Sequence, residues 1–116
     1  MTQSGVTAIP AANPAPEFYL TEIHHRDGNY FRGSLTADCR SWQVVAAIAS
    51  GECERVMRVL AVNPQAGTCR DASREIAIDV LGQAIDLCNG VPDHCRDFLE
   101  RHLGCAVVAS AERQAA

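Results

Sequence analysis

The chain has 116 residues, enough for one domain, and its composition is that of a globular protein: 47% hydrophobic, 21% charged and only 5% aromatic. The net charge is −4, and the ten basic residues are all arginine and interleaved with acids, as around Arg55, Arg58, Arg70 and Arg74, which argues against the basic stripe of a nucleic-acid binder. No run approaches the roughly 18 apolar residues of a membrane span, and no secretory signal is visible at the N-terminus, so a cytoplasmic protein with no direct contact to nucleic acid or membrane is expected.

In chain order, residues 1–16 hold Pro10, Pro14 and Pro16 among small residues and read as a flexible arm. Residues 17–107 read as a single helical domain, and 108–116 as a second flexible tail of small residues. Within the domain, Glu17–Ile23 is rich in strand-favouring residues, and Asp27-Gly28 is a turn signal before Asn29-Tyr30-Phe31, which predicts a short β-hairpin or extended segment. A lone hairpin is marginal in water, so its aromatics must pack on the helices or on another chain.

Four helices are predicted after the hairpin. The first runs from about Thr36 to Ser50 and stops at Gly51; the second runs from about Glu52 to Val62 and ends at Asn63-Pro64. The third runs from about Cys69 to Cys88, with Ala72, Ile76, Val80, Ala84 and Cys88 four residues apart along one face and Ala77, Leu81 and Ile85 beside them, a wide stripe that marks a central helix. The fourth opens at Pro92 and ends at Gly104. The expected architecture is therefore mainly α: a compact four-helix bundle made of two helix–Gly–helix hairpins.

Those two units align on Gly51 and Gly90, with Val56, Val59 and Leu60 matching Cys95, Phe98 and Leu99. The segment Ala47–Leu60 resembles the helix pair of an ankyrin repeat. The Thr-Pro-Leu-His turn signature is absent, however, and the glycine interval is 39 residues against about 33 in an ankyrin array, so a solenoid is not expected.

Six cysteines stand at 39, 53, 69, 88, 95 and 105. Cys95 takes the place of Val56 in the alignment, and Cys88 continues an apolar stripe, so the cysteines read as small buried hydrophobes. Cys39 and Cys105 are the positions where a redox-sensing thiol would be exposed. A metal site from Cys88, His94, Cys95, His102 and Cys105 lacks the usual pair spacing; His94 and Cys95 point about 100° apart on a helix. The adjacent His24-His25 points to opposite faces of a strand. No Walker loop, nucleophile elbow or His-Glu-x-x-His motif occurs. No catalytic, cofactor or metal residue is assigned.

The apolar content of Val44–Val62 exceeds what one narrow stripe needs, which points to a second buried face covered by a dimer or a partner. The expected protein-binding residues are Phe18, Tyr19, Trp42, Val45, Ile48, Val56 and Met57. The opening Met1–Pro10 and the helical pair around Trp42 make the chain similar in layout to small bacterial anti-activators, which hold a quorum-sensing transcriptional regulator in an inactive complex. That resemblance implies a non-enzymatic protein–protein inhibitor, a homodimer, and no assigned functional residue. The competing class is a small redox- or metal-responsive cysteine protein, or a small enzyme with an unrecognised cysteine site.

Overall fold

The run from Val56 to Asn63 is a β-strand, not the second helix that its spacing predicts. In the computed structural model, which describes residues 17–33 and 40–115, strands β1 (Phe18–Ile23) and β2 (Tyr30–Arg32) form the expected hairpin. Helix α1 (Ser41–Ser50) follows, then a second hairpin of β3 (Val56–Asn63) and β4 (Thr68–Asp71). Three helices close the chain: α2 (Ser73–Cys88), α3 (Asp93–Leu103) and α4 (Cys105–Ala115). The four strands make one antiparallel sheet in the order β2-β1-β3-β4. The mainly α four-helix bundle is thus corrected to an α+β fold of four helices and a four-stranded antiparallel sheet, with α1, α2 and α3 against the sheet and α4 on α2 and α3.

The correction has a physical cause. Val56, Val59, Leu60 and Val62 fit helical spacing, but they also make a short, valine-rich, near-continuous apolar run bounded by turn residues, which as a strand puts apolar side chains on both faces. A bulge hides the alternation: Glu22 pairs with Arg58, but Ile23 pairs with Val56, leaving Met57 as the extra residue. Beyond that bulge the inward side switches parity, so Val56, Val59 and Ala61 all point into the core, opposite Ile23, Thr21 and Tyr19 of β1. Arg55, just before the strand, adopts φ 58°, and Gly51, which ends α1, adopts φ 89°. Gly51 therefore stops the helix as expected, but the chain turns into a sheet rather than into a second helix.

The third expected helix divides in the same way. Its first residues form β4, and Asp71 accepts the Ser73 N–H at 2.8 Å where α2 begins. Helix α2 is central, as its stripe predicts: Ile76, Ala77, Val80 and Ala84 are buried, and it contacts α1, α3, α4 and β3. Cys88, at its end, is exposed. At the junction the Ser73 hydroxyl accepts the Val59 N–H at 2.8 Å, and Ala72 N–H donates to Val59 O at 2.8 Å. The last turn of the hairpin is thereby stitched to the helix inside the core.

Asn89, not Gly90, takes the left-handed position after α2, and α3 follows between Pro92 and Gly104 as expected. The C-terminal stretch expected as a tail from residue 108 is helix α4, an alanine-rich segment of high helix propensity. Its Val108 is fully buried. Its Glu112 accepts Arg96 Nη2 at 2.7 Å and the Val91 N–H at 3.1 Å, clamping α4 to α3 and to the preceding loop. The Arg96 guanidinium holds the Glu112 carboxyl below the usual carboxylate range. The expected arm over 1–16 and the start of the first helix over 36–39 lie outside the described residues. No described helix is long and apolar enough to cross a membrane.

Two substitutions test this construction. Ser73→Ala should lower unfolding free energy by about 1–3 kcal/mol, because it orphans the Val59 N–H in a dry core. Gly51→Ala should cost about 1–2 kcal/mol from the left-handed backbone alone, with added crowding because its Cβ would meet the His94 ring at 3.3 Å. Urea denaturation followed by circular dichroism measures both.

Candidate functional site

Among the described residues, helices cover only one face of the sheet. The core cluster takes in Ile23, Val56, Val59 and Ala61, with Tyr19 packed against it; none of Phe18, Leu20, Leu60 or Val62 belongs to it. Those four alternate with the core residues and therefore line the opposite face, where the register sets Phe18 beside Val62 and Leu20 beside Leu60. Each is half-buried. Glu22 and Arg58 form the next cross-strand pair, joined by Arg58 Nε to Glu22 Oε1 at 2.6 Å. Asn29 Nδ2 donates to the other Glu22 oxygen at 3.4 Å. The Arg58 hydrogen bond is the main reason the Glu22 carboxyl lies below its ordinary range. Exposed Phe31 flanks this row, across from Glu22, and exposed Cys69 lies across from Val62. Arg40 sits over the Phe18 ring, 5.4 Å from its centroid.

An antiparallel sheet covered on one side ordinarily turns polar residues to water on the other. Here the second face carries an apolar centre of four side chains, with one ion pair at its end and exposed Asp71 of β4 across from Leu60. Among the described residues, no helix packs on it.

Two concavities away from this face are lined by ionisable groups. A cleft of about 550 Å³ opens between the β1–β2 hairpin and α1, lined by Tyr19, Thr21, Arg32, Trp42, Glu52 and Cys53. Arg32 is committed there: it bonds the Glu52 carboxylate at 2.7 Å and approaches Cys53 Sγ at 3.2 Å. Burial nevertheless dominates over Arg32 and pushes the Cys53 thiol up, so the thiolate needed for nucleophilic or redox chemistry is disfavoured. A polar crevice of about 370 Å³ lies near His24, Met57, Asp93, His94 and Arg101. His94 Nε2 bonds the Ala49 carbonyl at 2.9 Å and His102 Nε2 bonds the Met57 carbonyl at 2.7 Å, so both histidines act as latches that hold α3 to α1 and β3. Among the described residues, no three of the His, Cys, Asp and Glu side chains converge as metal ligands.

The residues expected at a binding surface do not gather on one. Val45, Ile48 and Val56 are 6%, 0% and 3% exposed and belong to the core. They pack between α1, α2 and the sheet because β3, not a helix, follows Gly51. Phe18 lies on the open face; Tyr19 turns to the core side and lines the cleft. Trp42 stands 69% exposed on α1 at the cleft's lip. Met57 is half-buried at the bulge, its sulfur 3.4 Å from Arg101 Nη1. Leu20, Leu60 and Val62, which are not among the expected binding residues, complete the face. Their signal was the apolar excess of Val44–Val62, which the strand assignment turns into two faces. In comparisons with known proteins, no family model, no curated protein and no solved structure matches this chain.

The cysteines divide by position: Cys53 and Cys95 are buried, whereas Cys69, Cys88 and Cys105 are exposed. Burial also pushes the Cys95 thiol up. Thiol labelling of the native protein with peptide mapping should modify Cys69, Cys88 and Cys105 within the first sampling times. Cys53 and Cys95 should react only after denaturant is added.

Proposed function

We propose that the protein is a small regulatory module that works by direct protein–protein contact through the open face of its sheet, and not by catalysis. The observation that carries this reading is the apolar centre Phe18, Leu20, Leu60 and Val62 on a sheet face without a helical layer. Apolar area of this kind gains free energy when covered, at roughly 25 cal/mol per Å²; the four side chains are already half-buried, and a partner would complete their cover. The cleft and the crevice support it indirectly: Arg32 and His94 are engaged in structural bonds, and burial pushes the Cys53 thiol up.

The finer reading is an anti-activator that silences a transcriptional regulator by binding it. It rests on the likeness in layout, together with a net charge of −4 that suits a protein meeting its target by contact rather than through DNA. Five free cysteines among the described residues suit a reducing compartment, and the reading includes a cytoplasmic location.

The test is affinity capture from the native cell with mass spectrometry, using the tagged wild type beside Leu60→Arg on the open face and Leu87→Arg on the exposed end of α2. A partner retained by the wild type and by Leu87→Arg, and lost from a folded Leu60→Arg, is the expected result. Capture that is indifferent to Leu60→Arg overturns the sheet face as the binding surface.

A further inference from the structure

The open face is complementary to itself. Across β1 and β3 its rows read Phe18–Val62, Leu20–Leu60 and Glu22–Arg58, so each row carries a different but matching side chain on the two strands. A twofold axis parallel to these strands and midway between them lays β1 of one copy on β3 of the other. Phe18 then faces the partner's Val62, Leu20 faces the partner's Leu60, and Glu22 faces the partner's Arg58, with each contact repeated by symmetry. At the roughly 10 Å spacing of packed sheets, the apolar side chains interdigitate and the two ion pairs close into a ring of four alternating charges. Their opposite signs direct the register more than they add affinity.

The other in-plane twofold, running across the strands, is unfavourable. It sets Glu22 on the partner's Phe18 and Arg58 on the partner's Val62, so that both charges are desolvated against apolar groups. The face thus discriminates between the two ways in which it can meet itself, through charge at one end and apolar side chains at the other.

We infer that the occupant of the open sheet face is a second copy of this chain, packed sheet on sheet about a twofold axis parallel to β1 and β3, with Glu22 and Arg58 exchanging partners across the interface. This inference rests on the proposed reading of that face as a contact surface and names what covers it in the free protein; a regulator that binds the same face does so by displacing the second copy.

Light scattering on the full-length chain, with circular dichroism as the folding control, tests it. The wild type should have twice the 12.5 kDa chain mass. Glu22→Arg places like charges across the interface, as does Arg58→Glu, and each alone should weaken the dimer about a hundredfold or more. Mixed one to one, the two variants should dimerise again, because each introduced charge meets its opposite on the other variant. Leu60→Arg should give a folded monomer. A wild type that stays at 12.5 kDa at the highest concentration reached overturns the inference without reference to any variant. A dimer that survives Leu60→Arg and both charge swaps also overturns it, because the interface then lies elsewhere. If the wild type is monomeric yet Leu60→Arg still loses a captured partner, the second-copy inference fails while the contact reading of the face stands. If neither mass nor capture responds to Leu60→Arg, both fail.

Discussion

Val59 holds the two halves of the fold together. Its side chain is fully buried, its strand pairs with β1, its N–H is taken by the Ser73 hydroxyl and its carbonyl by Ala72 N–H. Edge strand β4 has ended at Asp71, so helix α2 supplies the partners that a strand would otherwise supply. A buried backbone group without a partner is expensive. That cost fixes where α2 begins and how it lies across the sheet. The positions of α1, α3 and α4 follow from α2, which touches all three.

The parts of this arrangement written in local chemistry were legible in the sequence. Aromatic and β-branched residues around Asp27-Gly28 announce the first hairpin, the four-residue stripe from Ala72 to Ala84 announces the central helix, and Pro92 and Gly104 bracket α3. What was not legible depends on contacts far along the chain. Val56, Val59 and Leu60 satisfy a helical period as well as a strand with a bulge, and pairing with β1 and β4 decides between them. Helix α4 looks like a tail because it carries little apolar surface; the buried Val108 and the Glu112 clamp on Arg96 and Val91 hold it.

The candidate surface shows the same division. An excess of apolar residues between Val44 and Val62 was visible, but a helix and a strand distribute such an excess differently. A helix would turn Val56 and Met57 outward beside Val45 and Ile48. The strand sends Val56 inward and brings Leu60 and Val62 to the outside, next to Phe18 and Leu20 of a segment about 40 residues earlier. No local pattern encodes that adjacency. The thiols and imidazoles, by contrast, drew notice as residue types, yet burial and main-chain hydrogen bonding commit Cys53, Cys95, His94 and His102 to architecture.

The edges of the sheet differ in character from its faces. Both edge strands are short, three residues in β2 and four in β4. Arg70 of β4 is tied to Glu17 and Glu75, and Arg32 of β2 to Glu52. Short strands bearing anchored charges are poor templates for another strand. Edge pairing can propagate from chain to chain into fibres, whereas a contact through the second face can be made only once, since helices occupy its reverse side. With the face as the contact surface proposed above, short and anchored rims would favour closed, finite assembly over filament growth, and they are the same short strands that left Val59 to be capped by a helix.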